Sequence, residues 1–309
     1  MRIAYIFPGQ GSQAIGMGKD LFDNFAAARE VFAAADDALG FPLSEMCFSG
    51  SEDDLQLTAN TQPAILTTSV AAFRAMKGEG FADPEFAAGH SLGEYSALVA
   101  AGVLDFADAV RTVRKRGTYM QEAVPVGVGA MAAILGADVD TVETACAEAA
   151  DGQVCSPANI NSPSQIVIAG DAGAVERACV LLKERGAKRT IWLNVSAPFH
   201  CALMMPAQDR LEKDLKGLEY GSFRFPIVHN ADAAINADAS SVCRALTDQV
   251  SGTVKWVRSV ETLIAEGVTT FVEVGPGRVL SGLVKQINRE VRCLNVDNAE
   301  SLRNTKETL

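Results

Sequence analysis

The sequence predicts an α/β protein in which a mostly parallel sheet, covered by helices on both faces, carries an inserted α+β unit. Three observations lead there. Short apolar runs alternate with helical patterns along most of the chain, as parallel strands joined by crossover helices require. Between 127 and 197 the pattern changes to β-α-β-β-α-β. After 200 the first pattern resumes, so the middle unit interrupts the larger one. The expected division is a large domain from 1–126 and 198–309 and a small subdomain from 127–197, which suits a chain of 309 residues.

Each element has its own signal. Residues 2–8 form an apolar run closed by Pro8-Gly9, the mark of a buried strand. Residues 19–39 have helical periodicity with many alanines, and 61–77 repeat it after Gln62-Pro63. Residues 85–90 read as a short strand running into Gly89-His90-Ser91-Leu92-Gly93, with helices near 92–101 and 105–122. The inserted unit has a strand at 129–135 and a helix at 139–150, then extended runs around Asn159 and 166–169. A helix at 174–185 and a strand at 190–195 complete a ferredoxin-like order. The larger pattern continues with a strand at 225–229, helices near 239–250 and 255–266, and a strand at 269–274. Gly275-Pro276-Gly277 opens a helix reaching about Asn288, and a last strand lies at 291–296. The polar tail from Asp297 is expected to be loose.

Composition narrows the function. The chain is 48 % hydrophobic and 21 % charged, ordinary values for a globular protein with a real core. No apolar stretch is long enough to span a bilayer, and the N-terminus lacks the features of a secretory signal, so a cytoplasmic protein without membrane association is expected. Seven scattered cysteines without a CxxC pair suggest neither a zinc site nor a disulfide framework. A formal net charge of −11 argues against nucleic acid as a partner, and an acidic partner would need a local basic patch.

Gly89-His90-Ser91-Leu92-Gly93 is a GxSxG sequence between an apolar strand and an alanine-rich helix, the context of a nucleophile elbow in an α/β-hydrolase-like domain. The tight turn pushes the Ser91 hydroxyl out at the carboxyl end of the strand, and glycines on both sides relieve crowding. The helix beneath presents free N–H groups, so the Leu92 amide can help hold an oxyanion. A serine nucleophile needs a base, and the chain has three histidines. His90 lies within the elbow, where alternation along the strand points its side chain away from Ser91. His229 ends a strand. His200, in Ser196-Ala197-Pro198-Phe199-His200, lies where the small subdomain rejoins the main sheet, and a cleft is expected there; position favours it. No Asp or Glu between 91 and 200 stands out as the third member, since Asp105, Asp108 and Asp171 read as helix starts or turns. Asp248 and Gln249 lie together near a later helix end. The chain order therefore departs from that of the hydrolases.

One resemblance covers residues 2 to 296 with its motifs in order. Phe7-Pro8-Gly9-Gln10-Gly11-Ser12-Gln13, Gly89-His90-Ser91-Leu92-Gly93-Glu94-Tyr95, Arg116-Gly117 and Asn159-Ile160-Asn161-Ser162-Pro163 resemble malonyl-CoA:acyl carrier protein transacylases. So do Phe199-His200, Gln249 seven residues before Trp256, and Glu273-Val274-Gly275-Pro276-Gly277. The resemblance implies that Ser91 takes the malonyl group as an ester and that His200 serves as base, then acid. Gln249 would accept the His200 ring N–H through its side-chain carbonyl. Gln10 and Leu92 would supply oxyanion-hole amides, and Arg116 would grip the malonyl carboxylate with two parallel donors. From the residues alone, Arg111, Arg114, Lys115 and Arg116 read as a solvated basic helix face. Asn159 is implied to be a polar pocket residue, against the plain reading of a turn asparagine before Ser162-Pro163.

The implied reaction is ping-pong transfer from malonyl-CoA to the phosphopantetheine thiol of acyl carrier protein, with no metal or cofactor and with the enzyme a monomer. Fatty acid synthesis is the implied setting. A polyketide-pathway acyltransferase, a serine thioesterase or esterase, and a non-enzymatic scaffold are the alternatives. Carrier docking would need a basic patch, with Lys183, Arg185, Lys188 and Arg189, or Lys285, Arg289 and Arg292, as candidates. The Phe199 ring should narrow the pocket against branched acyl chains. Phe199→Ser is expected to raise methylmalonyl turnover relative to malonyl turnover; an unchanged ratio would leave the ring without that role.

Overall fold

The computed structural model describes residues 2–195 and 197–309. Ser196, in the segment leading to His200, lies outside them. β1 (Arg2–Phe7) is followed by α1 (Lys19–Asn24), α2 (Ala26–Leu39), α3 (Leu43–Ser49), α4 (Glu52–Gln56) and α5 (Thr58–Gly78). Next come β2 (Phe86–Gly89), α6 (Gly93–Ala100) and α7 (Phe106–Glu122). The middle of the chain forms β3 (Gly129–Leu135), α8 (Val139–Ala150), β4 (Cys155–Ser162), β5 (Gln165–Asp171), α9 (Ala172–Glu184) and β6 (Arg189–Trp192). The rest comprises α10 (Met205–Leu215), β7 (Ile227–Val228), β8 (Ile235–Asn236), α11 (Val242–Ser251) and α12 (Trp256–Ala265). It ends with β9 (Val268–Val274), α13 (Val279–Ile287), β10 (Arg292–Val296) and α14 (Ala299–Thr308).

Two sheets result. The larger has the order β10-β9-β1-β2-β7-β8, parallel except where β8 runs against β7. Its central strand β1 is apolar at successive positions because both faces are covered. Tyr5 and Phe7 join the core beneath α5, while Ala4 and Ile6 pack with Trp256, Val260 and Phe271 on the other face. The smaller sheet is antiparallel, in the order β4-β5-β3-β6. One face packs Ala132, Ile134, Ile166 and Ile168 against α8 and α9. Its other face, through Met131, Ala133, Val167 and Ala169, joins the core of the large domain. The small unit is therefore joined to the large domain by apolar burial and forms one side of the cleft between them.

Three differences from the sequence reading have physical causes. The helical stretch at 19–39 breaks at Phe25, which is extended (φ −127°), and the break lets Phe22 and Phe25 both pack against the core. The region after His200 contains α10, whose Ala207, Leu211 and Leu215 recur every four residues on a buried face. The tail from Asp297 is not loose. Asn298 and Ser301 form a reciprocal cap, Leu302 and Thr305 are buried, and the Ala299 amide donates to Asp20 at 2.5 Å.

The sheet positions the elbow through backbone contact. A Cβ on Gly93 would stand 2.0 Å from the Phe7 carbonyl oxygen, and one on Gly89 would stand 1.9 Å from the Gly93 carbonyl carbon. Neither obstacle is a side chain that could swing away. Gly93→Ala is therefore expected to cost about 3 kcal/mol, at the upper end of overpacking penalties, read as a lowered urea midpoint with an unchanged m-value.

Candidate active site

β2 ends at Gly89, the chain turns sharply, and α6 begins at Gly93. Ser91 occupies the turn with φ 50°, in the left-handed region a serine normally avoids. Asn230 holds it there: its side-chain oxygen accepts from the Ser91 amide at 2.6 Å, and its side-chain nitrogen donates to the Gly89 carbonyl at 2.6 Å. The Ser91 amide is thus occupied. The Leu92 amide stands at the N-cap of α6, where helix geometry supplies no carbonyl for it. The loop after β1 runs alongside, with the His90 amide donating to the Phe7 carbonyl at 3.0 Å. Gln10 on this loop is exposed, lines the cavity, and its side chain donates to the Thr58 hydroxyl at 3.4 Å.

Ser91 Oγ lies 2.8 Å from His200 Nε2, and His200 Nδ1 lies 2.9 Å from the Gln249 backbone carbonyl. A carbonyl only accepts, so Nδ1 carries the proton and Nε2 presents its lone pair to the serine. This corrects the expectation for Gln249: its main chain, not its side chain, orients the imidazole. Its side-chain oxygen accepts from Arg116 Nη2 at 2.9 Å, and its side-chain nitrogen donates to the Ser91 carbonyl at 2.9 Å and to Glu94 at 2.8 Å. His200 itself has φ 60°, so both partners of the Ser91–His200 pair sit on left-handed turns.

Arg116 is 1 % exposed, far from a solvated helix face. Its Nη2 donates to Ser91 Oγ at 3.1 Å and its Nη1 to Gln62 at 2.8 Å, while its plane lies 5.6 Å from the Tyr95 ring. Among the described residues its Nε has no partner and no carboxylate pairs with the guanidinium directly. The carboxylate it feels, Glu94, is reached through the Gln249 amide. A cavity of about 120 Å³ opens over these groups, with Gln10, Ser91, Arg116 and His200 from one side and Met131, Asn159, Leu193 and Val195 from the other. Asn159 is buried on β4, and its neighbour Ile160 donates its amide to Val254, which ties the small sheet to the stretch after α11. His90 does not simply point away: its ring reaches Asn161 at 2.8 Å and the residue lines the same cavity.

Sequence reasoning missed Glu94 and Asn230 and gave His229 no task. Glu94 is fully buried and accepts from the Asn230 amide at 3.0 Å and from His229 Nδ1 at 2.6 Å. Burial works to lower the His229 pKa, but the charge of Glu94 and their hydrogen bond outweigh it and raise it. The available signal was an acidic residue inside an otherwise apolar helix face, Glu94 between Gly93 and Tyr95.

These groups can activate a hydroxyl nucleophile, hold a developing oxyanion at the helix end, and fix an acyl group bearing a negative charge beside the serine. Burial first, and then the Arg116 charge, push the His200 pKa down to about 3, against the opposing pull of its bond to Gln249. The base is therefore unprotonated at neutral pH. The unfolded chain binds this proton near the ordinary histidine value of about 6.5 and the folded chain only near the lowered one. This contribution to stability is therefore complete above that ordinary value and is lost as pH falls through the window between the two. In ¹³C-histidine spectra the His200 signal should stay in its neutral form from about pH 8 to about pH 5, where an ordinary histidine titrates; a midpoint near the ordinary value would refute the assignment.

The chain matches the family model for the acyl transferase domain over residues 4–305. It is 48 % identical to the malonyl CoA-acyl carrier protein transacylase of Bacillus subtilis over 309 residues, which cover 100 % of this chain and 97 % of that protein. It is 50 % identical to the protein of the same name from Escherichia coli K12, over 93 % of each chain. Among solved structures, the acyl carrier protein S-malonyltransferase of Vibrio cholerae superposes with a TM-score of 0.97 at 47 % identity, covering 99 % of this chain and 100 % of that one. A malonyl-transacylase in complex with its type II PKS acyl-carrier protein superposes with a TM-score of 0.98 at 47 % identity over the whole of both chains.

Proposed function

The chain belongs to the acyl transferase domain family, and from that premise we propose that it transfers a malonyl group from coenzyme A to the phosphopantetheine thiol of an acyl carrier protein. The observation that carries the choice of acyl group is Arg116, buried without a direct carboxylate partner and 3.1 Å from the Ser91 hydroxyl. A buried guanidinium so placed favours an acyl group with its own carboxylate, which malonyl has and acetyl lacks. An esterase would have no use for it.

Ser91 Oγ attacks the thioester carbonyl while His200 Nε2 takes its proton. The oxyanion forms against the amides of Leu92 and Gln10, and collapse breaks the C–S bond as His200 returns the proton to the CoA thiolate. The carrier thiol then attacks the ester, with His200 again as base, and Ser91 is regenerated. The protonated imidazole arises next to Arg116 and in a buried site, so it is short-lived and readily gives its proton up. No step calls for a metal or redox cofactor.

A relative solved with its acyl-carrier protein supports a carrier partner for this chain. Of the candidate docking residues, Lys183, Lys188 and Arg189 are exposed near the start of β6, while Arg185 pairs with Glu148. Lys285 donates to the carbonyls of Arg289 and Val291, which makes the second group less available. The first group is the better patch. Among the described residues no helix is long and apolar enough to cross a membrane. Fatty acid synthesis is the setting we favour, with a stand-alone polyketide acyltransferase as the second reading, since one similar structure holds a polyketide-type carrier.

Intact-protein mass spectrometry tests the proposal. Malonyl-CoA should add one malonyl increment to the native chain and none to Ser91→Ala, and holo acyl carrier protein should remove it. Arg116→Ala should lower malonyl loading at least about a hundredfold, as loss of a buried charged hydrogen-bonding partner does, while acetyl loading falls less. No adduct, with no transfer to the carrier, would overturn the assignment.

A further inference from the structure

Glu94 is fully buried in the first turn of α6, where the helix N-terminus favours a carboxylate. Its amide donates to the Ser91 carbonyl at 3.1 Å, but its carboxylate reaches neither the cavity nor the Ser91 hydroxyl. Its partners are the His229 ring, the Asn230 amide and the Gln249 side-chain nitrogen, at 2.6, 3.0 and 2.8 Å. An amide side chain can be turned over with little change in shape, so its orientation is set by its neighbours. Gln249 Nε2 faces two groups that only accept, the Glu94 carboxylate and the Ser91 carbonyl. Its oxygen is thereby turned toward Arg116 Nη2, which only donates. A reversed amide would set N–H against N–H at Arg116 and oxygen against oxygen at Glu94.

We propose that Glu94 is a positioning residue for acyl-group selection: its carboxylate locks the Gln249 amide, and the locked amide aims the Arg116 guanidinium at the acyl carboxylate. This rests on the reading that Arg116 binds the malonyl carboxylate. His200 draws on the Gln249 main chain, so the device tunes selectivity through a group separate from the base. Glu94→Gln keeps shape and volume but removes the charge: the Asn230 amide holds its remaining oxygen beside the Gln249 nitrogen, the new donor faces His229, and the Gln249 amide is left with a weaker, neutral anchor. Gln249→Met removes the amide and leaves the main-chain carbonyl in place.

The test compares wild type, Glu94→Gln, Gln249→Met and the double variant with malonyl-CoA and acetyl-CoA as donors and holo acyl carrier protein as acceptor. Each single change should lower the malonyl-to-acetyl ratio of kcat/KM by about ten- to a hundredfold, the range for one hydrogen bond to a charged group. The double variant should match Gln249→Met alone, because Glu94 acts through that amide. Equal losses for both donors, or losses that multiply in the double variant, would overturn the proposal. Should thermal melts show that Glu94→Gln does not fold, Gln249→Met decides it, and an unchanged ratio overturns it. A wild type without malonyl preference would instead sink the reading of Arg116 on which the proposal stands.

Discussion

A serine at φ 50° costs about 1–3 kcal/mol relative to relaxed backbone, and the site depends on that turn being held. Three things hold it. Gly89 and Gly93 let the strand end, the helix start and the end of β1 approach closer than any side chain would allow. Asn230 bridges the turn with one donor and one acceptor. The Gln249 amide nitrogen bonds the Ser91 carbonyl from a third direction. The strain is thus opposed by contacts from β1, from the residues after β7 and from α11, none of them local in sequence.

With the turn fixed, charge decides the rest. The histidine is partnered by a neutral carbonyl, where many serine hydrolases place a carboxylate. The difference follows from the guanidinium beside it. Arg116 already acts on His200 through its charge, and a carboxylate at that position would offset the positive field that the acyl carboxylate needs. The negative charge sits at Glu94 instead, one amide away from Arg116, where it keeps the buried cation from being isolated without occupying its open side.

Local pattern revealed most of the fold. Continuous apolar runs and period-3.6 patterns located every strand but the two-residue β8 and nearly all the long helices, because the large sheet is covered on both faces and each helix buries one. What escaped had weak local signals. The break at Phe25 is a tertiary demand on two aromatic rings, and α14 is polar apart from a narrow buried edge around Leu302 and Thr305. Within the site, Ser91 was visible because a strand, two glycines and a helix frame it. His200 was visible because few histidines compete. The Gln249 main-chain contact was not, since a backbone carbonyl carries no residue identity. Glu94 and Asn230 were not, since their partners lie more than 130 positions away.

The pairing of β1 with β9 has a consequence for the order in which the molecule is assembled. Tyr5 is in register with Val272, so one edge of the central strand waits until nearly the whole polypeptide has left the ribosome. Its other edge closes earlier, against β2. The inserted unit is different, because β3 through β6 pair among themselves within a short stretch and have their own core. During synthesis it can become compact while the larger sheet is still an exposed template. A nascent chain of this design carries one side of its cleft before the other, and its period of greatest exposure to aggregation lasts until the GPG turn after β9 has emerged.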